Sequence, residues 1–188
     1  MNTMVGVLNL EAERLEHHPA VSAALQDAGN RFQSMEVLYD QLYRTDTHVT
    51  GSAQEYITQL VNKVVALFPS AETVQVFVDV EDFAMDAKRL SSLGLIVNEL
   101  ITNAMKHAFR GRSGGVLSVA IARGSTETAS LVVADDGPGL PESLEIDNTS
   151  SFGLTMVQAL AQSLGGEVEF ERDSGTRCVL EFALERSR

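Results

Sequence analysis

The stretch that organises this chain is residues 95–109, LIVNELITNAMKHAF. Its apolar residues keep a helical spacing, which predicts a helix with one buried side. Those residues are Leu95, Leu100, Ala104 and Ala108. Another side presents a carboxylate, an amide, an ammonium and an imidazole, from Glu99, Asn103, Lys106 and His107. An amide oxygen can ligate a hard cation such as magnesium, and the two bases can donate to phosphate oxygens. The pattern therefore suits a hydrated cation and a polyphosphate, although it also fits a surface helix with a mixed polar stripe.

Glycine-containing turns follow this helix. Residues 131–141, LVVADDGPGLP, form an apolar strand-like run that ends in an acidic turn, where backbone can approach a ligand closely. Residues 151–154, SFGL, open a helical run, and helix N-terminal amides attract anions. Ser174-Gly175-Thr176 then lies between two strand-like runs. A single turn of this kind usually has no function beyond reversing the chain. The interpretation therefore rests on the order of the turns along the chain.

In that order, the helix and the turns resemble the N, G1 and G2 boxes of the ATP-binding domain shared by histidine kinases, gyrase, Hsp90-type chaperones and MutL. The resemblance is closest to sensor histidine kinases of the HisKA-2 type, relatives of the HWE group, and it covers nearly the whole chain. It is carried by NELITNAMKHAF (98–109) with RSGG (112–115), and by GLTMV (153–157) running to LGG (164–166). The HWE subgroup itself carries a histidine at the position of Asn98 and a characteristic tryptophan, and this chain has no tryptophan.

Composition excludes several classes of protein. A formal charge of −12 over 188 residues argues against a nucleic-acid surface, which is bound through excess lysine and arginine. The single cysteine, Cys178, excludes a disulfide framework, predicts a small buried apolar residue and favours a cytoplasmic setting. No apolar run approaches the roughly 20 residues of a membrane span, so no membrane contact by this region is expected.

A first domain is predicted over residues 1–45. Residues 1–15 have helical spacing, His17-His18-Pro19 interrupts them, and a second helix begins at Pro19. Its apolar residues alternate spacings of four and three from Val21 to Leu42, which is the seam of a helical bundle. We expect an antiparallel hairpin that pairs with a second copy in a homodimeric four-helix bundle. The alternative is a hairpin packed on its own globular domain.

A second domain is predicted over residues 52–188, after a connection in which Ser52 is an expected helix N-cap. The predicted elements are a helix that stops before Pro69, a strand over 73–80, a helix over 86–109, strands over 116–123 and 129–134, a helix over 152–164, and strands over 167–172 and 176–184. Residues 140–150 have loop composition. The fold class is therefore α+β, and the resemblance implies a two-layer α/β sandwich of the histidine kinase/gyrase/Hsp90 type with residues 140–150 as a short lid over ATP.

The resemblance also implies roles for individual residues. Asp135 would accept a hydrogen bond from the adenine amino group, with Gly137 and Gly139 letting the backbone close around the base. Asn103 would ligate Mg²⁺, and Glu99 would act as a base for water or orient the metal shell. The remaining contacts to ATP would come from Lys106, His107, Ser151, Gly153, Leu154 and Thr176. Ser151 stands where many histidine kinases have another glycine.

The N-terminal end of this chain differs from the resembled family. In that family the phosphoacceptor histidine lies on the first helix, ahead of the segment that matches residues 7–11. The corresponding position is therefore expected several residues before Met1. His17, His18 and His48 stand in no matching motif and are interpreted as solvated loop histidines.

Three functions follow from these observations. The first is the catalytic region of a two-component histidine kinase, which passes the γ-phosphoryl group of ATP to a histidine and on to a response-regulator aspartate. The second is an acceptor-less ATP-binding scaffold for a response regulator or partner kinase. The third is an anti-sigma-type serine kinase, against which the helical hairpin argues.

Overall fold

The computed structural model describes residues 2–18, 21–22, 24–26, 28–29, 50–124, 127–140, 152–172 and 174–184. The chain forms two units, Met1–Asp46 and Thr47–Arg188. No helix among the described residues has both the length and the apolar character needed to cross a bilayer.

The first unit begins with α1 (Asn2–Arg14). Residues 15–18 form a turn, and the described residues from 21 to 29 are helical. The Ser22 hydroxyl donates to the Ala12 carbonyl at 2.9 Å, and both residues are buried, so the second helical stretch packs back against α1. Val7, Leu10 and Val21 remain exposed. The rest of the predicted seam, from residue 30 to Leu42, and His48 lie outside the described residues.

The second unit contains a mixed sheet and a layer of helices. In chain order its elements are β1 (Thr50–Ser52), α2 (Ala53–Val65), a 3₁₀ turn (Pro69–Glu72), β2 (Val74–Val80), β3 (Ala84–Asp86), α3 (Ala87–Asn103), a π-helical segment (Ala104–Ala108), β4 (Gly115–Arg123), β5 (Thr128–Asp135), α4 (Phe152–Ser163), β6 (Glu167–Glu171) and β7 (Thr176–Ala183). The predicted α+β class is confirmed, and the bounds of the predicted elements agree within three residues except at the end of α3, where a π-helical segment replaces the α-helix.

The main sheet has five strands in the order β2-β4-β5-β7-β6. β2 and β4 are parallel, and the other pairs are antiparallel. A parallel pair needs a crossover connection, and α3 supplies it. One face of the sheet is buried through alternate residues, and α3 packs between α2 and α4. The buried residues of the central strands are Leu117, Val119, Ile121, Leu131, Val133, Cys178, Leu180 and Phe182.

Two helix starts follow directly from local sequence. Ser52 caps α2 as predicted, because its side chain accepts from the Glu55 backbone N–H at 3.0 Å. Asp86 caps α3 in the same way through the Arg89 N–H. The small antiparallel pair of β1 with β3 was not predicted, since three-residue strands carry no alternation to detect.

Arg89 connects the start of α3 to the end of the chain. Its guanidinium donates to the carbonyl of Leu164 at 3.1 Å and to the carbonyl of Ala183, and the side chain is buried. Leu164 follows α4, and Ala183 ends β7. One buried cation therefore holds the helix layer and the last strand together.

We predict that Arg89→Ala lowers the free energy of unfolding by about 2 to 4 kcal/mol, because it leaves two carbonyls without their donor. Urea unfolding followed by circular dichroism measures the change. Lys88→Ala removes an exposed neighbouring cation and should stay within about 0.5 kcal/mol of the parent chain. Equal midpoints for the two variants would contradict the structural role of Arg89.

Candidate nucleotide-binding site

Segments distant in sequence meet at one edge of the main sheet. The register places Leu117 beside Asp135 and Asp135 beside Thr176, so the start of β4, the end of β5 and the start of β7 form one row. The helix must return to this edge, because β4 begins there at Gly115 and runs parallel to β2. The π segment that continues α3 therefore lies next to the acidic turn.

A cavity of about 380 Å³ lies at this meeting point. Its lining includes six predicted site residues: Asn103, His107, Asp135, Gly139, Leu154 and Thr176. The other lining residues are mostly apolar: Leu100, Ala104, Ala108, Val133, Pro138, Leu140, Phe170 and Cys178. An apolar wall with a few convergent polar groups is typical of a small-molecule site.

Asp135 is the carboxylate of this cavity, and its orientation is fixed. Its Oδ1 accepts from the backbone N–H of Gly137 at 2.8 Å and from that of Thr176 at 3.3 Å. Both bonds go to the same oxygen, Oδ1. As far as the described residues show, Oδ2 is therefore the oxygen that is available to a ligand. A carboxylate held in this way can receive an amino group at one defined position.

Glycines allow the acidic turn to pack against its neighbours. A Cβ on Gly137 would lie 2.4 Å from the Ala108 Cβ, so the turn touches the π segment directly. A Cβ on Gly175 would lie 1.9 Å from the Asp135 carbonyl oxygen, so the β6–β7 turn touches the same strand end from the other side. Gly139 has φ +80°, a conformation that favours glycine.

The end of the motif helix departs from the α-helix predicted over 86–109. The chain is α-helical to Asn103 and π-helical from Ala104 to Ala108. Short π-helical segments often occur at functional sites. Here the segment carries His107 and Lys106, and its buried residues are Ala104, Met105 and Ala108.

The remaining predicted site residues that the structure describes lie outside the cavity lining. Glu99 is 1% exposed on α3, one turn before Asn103, and Lys106 is half-buried on the π segment. Gly137 supports Asp135 through its N–H, and Gly153 is buried in the first turn of α4. Ser151 lies outside the described residues. The roles assigned to all these residues stay predictions.

Arg112 and Asp136 are functional-site neighbours that the sequence analysis did not single out. Arg112 Nη1 lies 3.0 Å from Asp136 Oδ1, and the same carboxylate accepts from the Val116 N–H at 3.0 Å. The Val116 N–H, followed by Arg112, lowers the pKa of Asp136. The stability from this carboxylate is therefore present above its usual pKa and lost as the pH falls through the lowered value. The sequence motifs quoted above contain both residues. Because the two residues are 24 positions apart in the chain, only the tertiary structure reveals that they form a pair.

Cys178 is a further lining residue that was predicted only to be buried. It is 2% exposed, and burial raises the pKa of its thiol to about 12. The thiol is therefore protonated at neutral pH and acts as a small apolar surface, as predicted. Asn98, by contrast, buries its Oδ1 without a hydrogen-bond partner among the described residues.

Comparison with known proteins agrees with this fold. Residues 88–186 match the family described as histidine kinase-, DNA gyrase B- and HSP90-like ATPase. The chain belongs to this family of ATPases. Residues 1–68 match the HisKA-2 histidine kinase family, so a HisKA-2 region and an ATPase domain occur together in this chain, as in sensor histidine kinases of the HisKA-2 type.

Individual relatives carry the same description. Blue-light-activated histidine kinase 2 of Erythrobacter litoralis is 25% identical over 174 residues, which cover 89% of this chain and 49% of that protein. Sensor histidine kinase PdtaS of Mycolicibacterium smegmatis is 24% identical over 193 residues, which cover 99% of this chain and 38% of that protein. The chain thus spans half or less of the length of these curated relatives. The histidine kinase domain of the Erythrobacter litoralis EL346 protein has the same fold, with a TM-score of 0.74 at 21% identity over 96% of this chain and 94% of that chain.

We predict that Gly137→Ala lowers the free energy of unfolding by about 2 to 3 kcal/mol, because its Cβ would overlap the Ala108 Cβ. Gly111→Ala is the matched control: Gly111 has φ +75° but open space around a Cβ, so only the backbone penalty of about 1 kcal/mol applies. Urea midpoints measure both. A Gly137→Ala chain as stable as Gly111→Ala would mean that the turn does not need this close approach.

Proposed function

We propose that this chain binds ATP with Mg²⁺ in the cavity and is the catalytic region of a two-component sensor histidine kinase. The observation that carries the proposal is the Asp135 carboxylate, fixed by two backbone N–H groups in an apolar cavity that Asn103 and His107 also line. Membership of the ATPase family supports ATP as the ligand.

The adenine would lie at the end of the cavity that contains Asp135. Its amino group would donate to Asp135 Oδ2, since Oδ1 is occupied by Gly137 and Thr176. The apolar lining residues Leu100, Val133 and Cys178 suit the faces and edges of a purine. Gly139 brings its backbone against the base without a side chain in the way.

The phosphates would lie toward Asn103 and the start of α4. Lys106 and His107 would donate to phosphate or ribose oxygens. Gly153 and Leu154 in the first turn of α4, and Ser151, which lies outside the described residues, would supply N–H groups. No group of three or more His, Cys, Asp or Glu side chains suited to a metal occurs among the described residues. Asn103 would hold Mg²⁺ together with phosphate and water oxygens, as Mg²⁺ is commonly bound in kinases.

The reaction would transfer the γ-phosphoryl group from ATP to a histidine nitrogen, with ADP as the leaving group, and then to a response-regulator aspartate. Mg²⁺ would neutralise charge that develops on the phosphates. The protein residues would position the nucleotide, and Glu99 would orient the groups around the metal from its buried place on α3. A receiver domain of a response regulator and a second copy of the chain, paired through residues 1–45, are the proposed partners, in the cytoplasm.

We predict that Asp135→Asn weakens ATP binding by about 1.5 to 3 kcal/mol, because an amide replaces a charged acceptor. Calorimetric titration with ATP and Mg²⁺ measures the loss. Asn103→Ala is the matched variant for the other end of the site: it should keep adenosine binding and lose the part of ATP affinity that depends on Mg²⁺. Unchanged ATP affinity in Asp135→Asn would rule out the adenine assignment. Equal ATP affinity of the parent chain with Mg²⁺ and with chelator would rule out the metal assignment.

A labelling experiment separates kinase from scaffold. We predict that the chain incubated with γ-labelled ATP acquires no acid-labile label, because His17, His18 and His48 stand in no acceptor motif. A chimera that carries, ahead of Met1, the first-helix segment of a HisKA-2 relative with its acceptor histidine should become labelled, since the nucleophile is then in position. The same chimera with Asp135→Asn is the control and should label weakly.

Each of the other outcomes contradicts one part of the proposal. Label on the chain itself that is lost with His17→Ala, His18→Ala or His48→Ala would identify an acceptor among these histidines. A chimera that binds ATP but stays unlabelled would favour the scaffold. An acid-stable label on a partner's serine would favour the anti-sigma class.

A further inference from the structure

The turn that carries Asp135 is tied to its neighbours by one guanidinium. Arg112 Nη1 donates to the Asp136 carbonyl at 2.8 Å, to Asp136 Oδ1 at 3.0 Å and to the Ala108 carbonyl at 3.4 Å. Ala108 ends the π segment, and Asp136 directly follows Asp135. Arg112 therefore connects the wall of the cavity that bears His107 to the wall that bears Asp135.

The Asp136 carboxylate extends this connection to a third segment. It accepts from the Val116 N–H at 3.0 Å, while the Asp136 N–H donates to the Val116 carbonyl at 3.2 Å. The β4–β5 ladder is thereby continued by one residue beyond the pair of Leu117 with Asp135. Asp135 is thus held between a fixed successor in the chain and the two N–H groups on its own Oδ1.

We propose that Arg112 is a positioning residue for nucleotide selection: with Asp136 it holds the acidic turn against the π segment, so that Asp135 Oδ2 meets the adenine amino group. This inference rests on the proposed function, in which Asp135 receives that amino group. Arg112 itself does not line the cavity and acts through Asp135.

The solvent exposure of the Arg112–Asp136 pair distinguishes a positioning role from a role in global stability. The Arg112 and Asp136 side chains are 36% and 43% exposed, and ion pairs so open to water contribute little to global stability. The position of an acceptor within a few tenths of an ångström matters far more for a ligand hydrogen bond. Loss of Arg112 should therefore change nucleotide choice more than it changes unfolding.

ATP and ITP test the inference, because ITP carries a carbonyl oxygen in place of the adenine amino group. A carboxylate aimed at that position favours ATP, and we expect the parent chain to bind ATP at least about tenfold more tightly than ITP. Arg112→Met keeps the side-chain length and removes the donors. It should lower this ratio by about fivefold or more through weaker ATP binding, with ITP affinity nearly unchanged.

Matched variants identify the cause. Arg112→Lys keeps a cation with three donors and should retain most of the ratio. Arg177→Met breaks an ion pair with Glu171 of similar exposure, 2.7 Å long, on the neighbouring strands, and should leave the ratio unchanged. Asp136→Ala removes the oxygen that accepts from both Arg112 and Val116, and it should lower the ratio even if Arg112→Met fails to fold. Thermal unfolding without nucleotide verifies that each variant is folded.

Two results overturn the inference in distinguishable ways. If the parent chain prefers ATP but folded Arg112→Met and Asp136→Ala keep the full ratio, Arg112 has no positioning role, and the proposed function stands. If the parent chain does not bind ATP or binds ATP and ITP alike, the adenine role of Asp135 fails and the inference fails with it.

Discussion

The site depends on backbone contact between the acidic turn and the π segment. Gly137 lets the turn approach Ala108 to a distance at which any Cβ would overlap, and Gly175 lets the β6–β7 turn approach the Asp135 carbonyl from the opposite side. Asp135 is held between these two approaches, with its Oδ1 saturated by backbone donors from both sides. The orientation of the Asp135 carboxylate is therefore set by backbone N–H groups of its own turn and of β7.

Topology explains why these segments meet. β2 and β4 are parallel, so the crossover helix must end at the edge where β4 begins. β5 pairs antiparallel with both β4 and β7, which brings the end of β5 and the start of β7 to that same edge. Motifs more than 30 residues apart in the chain are thereby adjacent. Arg89 holds the opposite part of the layer by joining α3 to the carbonyls of Leu164 and Ala183. The cavity lies at the edge of the sheet where β4 begins, away from these contacts of Arg89.

The described part of the fold followed closely from sequence, because its elements are long and periodic. The strands predicted over 129–134 and 176–184 and the cap at Ser52 are local features, and all of them agree with the structure. Short strands, and features that depend on contacts between distant segments, were not predicted. The pairing of β1 with β3, the π-helical register after Asn103 and the Arg112–Asp136 pair depend on contacts that no window of sequence contains.

The sequence by itself determined the class of protein and the residue types of the site, because glycine turns, an acidic strand end and a polar helix face each have a local physical requirement. Tertiary structure alone decided how those residues are used. It placed Asn103, His107 and Asp135 around one cavity while it set Glu99 and Lys106 outside the lining. It also directed the Gly137 and Thr176 N–H groups to the same oxygen of Asp135, Oδ1. The reason is geometric: hydrogen bonds and close packing join segments far apart in the chain, and their distances exist only once the sheet has formed.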